Sequence, residues 1–225
     1  MNKNFLPYDV YERHRKIGSL IKKDDSVLDV GGELDHLSQF CNPKKLVVAN
    51  LTPADVVIKK GKLPFKNNSF TTVTAIDVLE HIAKEEREGF MEELTRVAKN
   101  RVIISFPVGT SCHKEYESKV QKWLTDRGHD VTYLKEHIKY GLPEKEEVEK
   151  LAKDFDHNLN FSGNITVNEF LFKLFMFDPH IRFIRRAVYY LKLLFNLVTN
   201  NIFYLILSDS DYSNNVIRAY LIIKK

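Results

Sequence analysis

The chain has 225 residues, 44% of them hydrophobic and 28% charged, with two cysteines and a formal net charge of +4. That size and mix fit one soluble globular domain with a sizeable core. The charge is too mild, and too bare of any recognition module, to indicate nucleic acid. Cys41 and Cys112 lie far apart without metal-ligand spacing and read as reduced thiols of a cytoplasmic protein. The N-terminal stretch lacks the apolar core of a signal peptide. The charge is uneven: residues 165–225 hold eight Lys/Arg against four Asp/Glu and 12 of the 26 aromatic residues, while the other 164 residues carry 26 of each sign.

Residues 8–22 read as a helix with Ile17, Leu20 and Ile21 on its apolar face. Residues 27–30 are a buried strand with Asp29 near its end, and Gly31 and Gly32 follow at once. Leu34, Leu37 and Cys41 then recur at helical spacing, so the pattern predicts strand, tight turn and helix start. Glycine suits such a junction because a backbone without Cβ turns sharply and admits a ligand. Residues 45–50, 55–58, 71–76 and 101–106 are further strands, with a helix over 84–99 between the last two. Helices are predicted over 116–127 and 144–155, and strands over 157–161 and 216–223. The alternation indicates an α/β fold, a doubly wound, Rossmann-like parallel sheet with helices on both faces.

Residues 165–210 form an apolar insertion in this single domain of residues 1–225. Within it Ile184, Ala187, Val188, Leu191, Leu194, Phe195 and Val198 make one helical stripe, with Arg185, Arg186, Tyr189 and Lys192 on the other face. Three readings are open: a helical lid with the aromatic residues as core, a dimer surface, or a basic amphipathic helix making peripheral membrane contact through 182–207. A transmembrane span is disfavoured, because residues 193–207 are uncharged for only fifteen residues and include Asn196, Asn200 and Asn201. Asp154, Asp156 and His157 match no metal signature and read as a solvated helix end, so no metal site is expected.

Four segments carry a family resemblance: Leu28-Asp-Val-Gly-Gly32, Val47-Val-Ala-Asn-Leu-Thr52, Leu63-Pro-Phe-Lys-Asn-Asn-Ser-Phe70 and Ala75-Ile-Asp-Val-Leu-Glu-His-Ile82. In this order they resemble the class I S-adenosylmethionine-dependent methyltransferases, in the small-molecule branch. The resemblance implies a seven-stranded sheet with an antiparallel last strand, a helical C-terminal insertion and S-adenosyl-L-methionine as cofactor. Carried over by position, Asp29, Gly31 and Gly32 shape the turn under the methionine part. Asn50, with Leu51 beside it, ends the second strand, where ribose hydroxyls bind. Lys62 and Leu63 fall near adenine, and Asp77 and Val78 face the methionine end. Glu33 is either a first-turn carboxylate favoured by a helix dipole or a partner for the cofactor ammonium.

The implied acceptor is a small molecule, sugar- or lipid-linked. A hydroxyl acceptor also wants a base near neutrality. His81 and His137 are the catalytic candidates, each weighed against a structural role, and His113 reads as a solvated loop residue. The pattern departs from the family where Glu33 and Asp35 fill glycine positions and Asn50 replaces an acid. The competing reading is therefore a catalytically inactive methyltransferase-like binding protein. A dehydrogenase fits poorly, since it gives no role to Leu63-Pro-Phe65 or to Val78-Leu-Glu-His81.

Overall fold

The computed structural model describes residues 2–225. Seven strands form one sheet: β1 (Ser26–Val30), β2 (Lys45–Asn50), β3 (Val56–Val57), β4 (Phe70–Ile76), β5 (Ala98–Pro107), β6 (Asp156–Ser162) and β7 (Arg218–Lys224). Their spatial order is β3-β2-β1-β4-β5-β7-β6. The first five are parallel, and β7 runs antiparallel to both β5 and β6. This is the doubly wound sheet with an antiparallel last strand that the resemblance implies. The central strands read as near-continuous apolar runs because helices cover both faces. Val27, Leu28, Val73, Ala75, Val102, Ile103, Ile104 and Leu221 are fully buried.

The helices are α1 (Tyr8–Leu20), α2 (Arg87–Val97), α3 (Ser111–Thr125), α4 (Thr132–Tyr140), α5 (Lys145–Ala152), α6 (Ile165–Met176) and α7 (Arg182–Leu207). α6 and α7 fill the connection between β6 and β7, where the insertion was predicted.

Several elements differ from the sequence reading. No α-helix follows Gly31 and Gly32: only a 3-10 turn, Leu37–Gln39, forms there. Asp35 adopts φ +66°, which breaks helical continuity, and Pro43 closes the segment. Leu34 is consequently exposed, although Leu37 is buried. The helix expected over 84–99 starts as a 3-10 turn, Lys84–Glu86, and yields to β5 at Ala98. The third strand shrinks to Val56–Val57. α4 has no counterpart in the sequence reading, because its two buried positions are Leu134 and His137 and one of them is polar. It stops at Gly141, whose φ of +74° favours glycine.

Much of the predicted apolar stripe of α7 faces outward: Ile184, Leu191, Leu194 and Val198 are exposed, together with Phe183, Ile202 and Leu205, while Val188 and Phe195 are half-buried. The inward face combines aromatic and polar groups, with Phe203 edge-on to Tyr8 at 5.6 Å and Tyr204 edge-on to Tyr11 at 6.5 Å. Asn196 donates to the Phe5 carbonyl at 3.0 Å, and Asn200 donates to Leu6 at 3.0 Å. The Tyr8 hydroxyl donates to the Phe203 carbonyl, and Lys16 donates to that of Ser208. Buried carbonyls of the N-terminal segment need donors, and the asparagines supply them. α7 thus lies along α1 and the N-terminal turn.

Candidate active site

A cavity of about 530 Å³ opens at the carboxyl ends of β1, β4 and β5. Ligands of open α/β sheets bind at this end of the strands. Gly31, Gly32 and Glu33 lie along its lining, as do Asp77, Glu80, His81, His113 and His137. Asn168 and Phe172 of α6 add a wall, while no residue of α7 lines the cavity.

The glycine turn is built from beneath. Asp29 is 1% exposed and accepts a hydrogen bond from the Thr74 hydroxyl at 2.7 Å. Burial pushes its carboxyl up to about 7, against the pull of Thr74. The Gly32 Cα lies so close that a Cβ there would sit 2.0 Å from Asp29 Oδ2. Asn50 donates through its Nδ2 to the carbonyls of Gly31 at 3.2 Å and Gly32 at 2.8 Å. Its Oδ1 accepts from the Leu51 backbone N–H. Asn50 thus braces the loop, where the resemblance expected a ribose contact. Glu33 stands at the rim, its Oε2 3.4 Å from His36 Nδ1 and its side chain 73% exposed. Without a following helix, the dipole reading of Glu33 loses its basis.

On the far side of the turn, Val78 packs against Gly31. Leu63 is buried in the main core, Lys62 and Leu51 are exposed, and none of these four residues lines the cavity. Lys62, Leu63 and Leu51 therefore stand apart from this cavity, and the Leu63 backbone is held by Glu93 and Arg96 of α2.

Asp77 follows β4 with φ +53° and carries two guanidiniums, Arg13 at 2.8 Å and Arg218 in closer contact. Burial opposes its ionisation, but the two arginines outweigh it and hold the carboxyl below the usual range. Arg13 Nε is buried and unpartnered among the described residues. Arg218 also approaches Glu12 at 3.7 Å, and Glu12 accepts from the Tyr220 hydroxyl at 2.7 Å. Glu80 lies next to this group, 1% exposed; burial and then the Asp77 charge push its carboxyl well above the ordinary value.

The two catalytic candidates, 56 residues apart in sequence, meet in the cavity. His81 donates from Nδ1 to Glu136 Oε2 at 2.8 Å, and His137 donates from Nδ1 to Glu117 Oε1 at 2.8 Å. Their Nε2 atoms face each other at 3.4 Å. His113 is not a solvated loop residue. It is 3% exposed in the first turn of α3, where its Nδ1 donates to the Val108 carbonyl, and burial lowers its pKa to about 4. Thr110 caps that turn by accepting from the His113 N–H, which draws the ring inward. Asp156 and His157 open β6, Asp156 pairs with Lys224, and no metal cluster forms there among the described residues.

Sequence reasoning passed over Arg13, Glu80, Glu117 and Arg218. Arg218 did leave a signal, since it is a lone arginine opening an otherwise apolar terminal strand. Glu117 left none, because a glutamate among Lys114, Glu115 and Lys119 looks like one more surface charge.

Residues 32–106 match a family model described as a methyltransferase domain. No curated protein matches the chain. Among solved structures, a SAM-dependent methyltransferase from Thermotoga maritima is similar with a TM-score of 0.55 and 14% identity, covering 98% of this chain and 93% of the other. One from Archaeoglobus fulgidus gives 0.54 and 14%, covering 97% and 94%. Phosphoethanolamine N-methyltransferase 2 of Haemonchus contortus, solved with phosphomonomethylethanolamine and S-adenosylhomocysteine, gives 0.50 and 16%, covering 93% of this chain and 51% of that one. Residues 32–106 thus match a methyltransferase domain, and the chain as a whole shares the α/β fold of these SAM-dependent methyltransferases.

Proposed function

We propose that the protein binds S-adenosyl-L-methionine and transfers its methyl group to a small acceptor seated in the cavity beside His81 and His137. The observation that carries this reading is the cavity itself. It runs from the Gly31–Glu33 turn, past Asp77, to the histidine pair. Donor and acceptor can therefore meet inside one enclosure. Methyl transfer from a sulfonium is an in-line displacement with an activated leaving group, and alignment alone can supply about 7–11 kcal/mol. The exposed carboxylate of Glu33 suits the cofactor ammonium, and the unpartnered Nε of Arg13 suits its carboxylate.

Calorimetric titration with S-adenosylhomocysteine tests the reading. Micromolar binding is expected, weakened at least tenfold in Arg13→Met, since a charge-assisted hydrogen bond contributes about 1.5–3 kcal/mol. No binding at millimolar ligand would favour the inactive binding protein instead, in which Asn50 serves the loop alone.

The exposed face of α7 supports a lipid-linked acceptor presented at an anionic membrane surface. Phe183, Leu194, Val198 and Leu205 form an apolar face beside Arg182, Arg185 and Arg186, the composition of an interfacial helix. The helix is long and apolar enough to cross a membrane by length and composition. Its Asn196, Asn200 and Ser208 contacts tie it along the body, which favours lying on the surface. At low salt the protein is expected to float with vesicles containing phosphatidylglycerol, and Arg185→Glu/Arg186→Glu to abolish flotation. Failure of the unmodified protein to float would remove the membrane reading.

A further inference from the structure

We propose that Glu80, His81 and His137 form a divalent transition-metal site in the wall of the cavity, with its open positions available to an oxygen of the acceptor. Their candidate ligand atoms lie within 4.8 Å of one another. The arrangement of protons makes the case. Each Nδ1 faces a carboxylate oxygen, which only accepts, so each ring carries its proton on Nδ1 and presents a bare lone pair on Nε2. The two lone pairs point at each other across 3.4 Å, which is repulsive unless something positive lies between them. Two metal–nitrogen bonds of 2.0–2.1 Å at a tetrahedral angle put the nitrogens about 3.4 Å apart.

Glu80 supplies an independent observation. Its Oε2 is buried with no hydrogen-bond partner, a costly state for a carboxyl oxygen and one that a bound cation relieves. Glu136 and Glu117 behind the rings are the outer carboxylates that fix tautomer and ring orientation at histidine metal sites. Two imidazoles and one carboxylate suit Zn²⁺, Fe²⁺ or Co²⁺ better than Mg²⁺ or Ca²⁺, which prefer all-oxygen sets. Three protein ligands also leave at least one position open toward the cavity. A proton shared between the histidines would explain their contact, but it would leave Glu80 Oε2 unsatisfied.

The substrate class rests on the methyl-transfer reading above, whereas metal binding does not. A metal with an open position selects an acceptor hydroxyl. The hydroxyl releases its proton to solvent as its oxygen is bound, and the oxygen then forms the new bond to the methyl carbon. The carbon–sulfur bond breaks with its electron pair left on sulfur, which becomes a neutral thioether.

The test is titration of the full, chelator-treated chain with Co²⁺ and Zn²⁺, followed by calorimetry and by the visible spectrum of bound Co²⁺. One equivalent should bind with micromolar or tighter affinity. Glu80→Gln should weaken binding at least tenfold, and Glu117→Gln, which touches no metal, by about 10–100-fold, with circular dichroism unchanged. His137→Gln should abolish the Co²⁺ spectrum; if that variant fails to fold, Glu80→Gln decides. Absence of stoichiometric binding at millimolar metal, or binding undiminished in Glu80→Gln, overturns the site. S-adenosylhomocysteine titrated with and without chelator separates the two readings. Metal binding without nucleoside binding overturns methyl transfer alone, and nucleoside binding without metal binding overturns the metal site alone.

Discussion

Arg87→Met is expected to destabilise the protein by about 3–5 kcal/mol, the range for removing one partner of a buried ion pair. Arg87 is 1% exposed at the start of α2. It donates to Glu147 of α5 at 2.9 Å, to the Ile82 carbonyl at 3.1 Å and to the Tyr140 carbonyl at 3.3 Å, and it also contacts the Gly141 carbonyl. One guanidinium thus joins the turn that follows His81 to the end of the helix that carries His137. Methionine fills much of the space but leaves Glu147 and three carbonyls without their donor. Lys84, 3.8 Å from Glu147 and largely exposed, cannot replace it. The check is urea denaturation: a stability loss under 1 kcal/mol would show that the ends of α4 and α5 hold without Arg87. Arg87→Met/Glu147→Leu should recover part of the loss, because the orphaned charge then disappears. The single variant should also bind Co²⁺ more weakly, since His81 and His137 would no longer be held in register.

Gly31→Ala is expected to cost about 2–5 kcal/mol through two separable causes. Gly31 sits at φ +78°, and a Cβ there would lie 2.5 Å from Val78 Cγ2. The left-handed backbone costs an L-residue about 1–2 kcal/mol, and overpacking adds about 1–3 kcal/mol. Val78→Ala in the same chain should return the packing part and leave the backbone part. Gly61→Ala isolates the backbone cost, since Gly61 has φ +99° with nothing within 4 Å of its Cβ position. Denaturation midpoints of the three variants provide the comparison. Equal losses in Gly31→Ala and Gly61→Ala would mean that Val78 yields freely. The Gly31 variant should lose S-adenosylhomocysteine affinity as well, because the turn it distorts lines the cavity.

The sheet was legible in the sequence because strand identity is a local property. Val27–Val30, Lys45–Asn50 and Val102–Phe106 each carry buried apolar runs flanked by turn residues, and that pattern survives whatever the rest of the chain does. The motif segments were legible for a related reason: three of the four, at residues 28–32, 47–52 and 75–82, lie where β1, β2 and β4 end. The Gly31–Gly32 turn over Asp29 is one such unit.

The helix after that turn was misread because Leu34, Leu37 and Cys41 have helical spacing, while Asp35 takes a positive φ that spacing does not reveal. For α7 the sequence leaves a lid, a dimer surface and a membrane contact open, because apolar spacing does not say what covers a face. The structure turns Asn196 and Asn200 inward to the backbone carbonyls of residues 4–6, which leaves Leu194 and Val198 outside.

By itself the sequence determined the α/β class, the strand alternation, the methyltransferase-domain motifs of residues 32–106 and the glycine turn, all of which depend on periodicity and on residues within a few positions of one another. Only the tertiary structure decided that His81 meets His137, that Glu117 and Glu136 stand behind them, that Asp77 is shared by Arg13 and Arg218, and that Asn50 holds the loop. Those contacts join residues from 18 to 141 positions apart. Their energy comes from mutual charge and burial, which do not exist until the sheet brings the segments together.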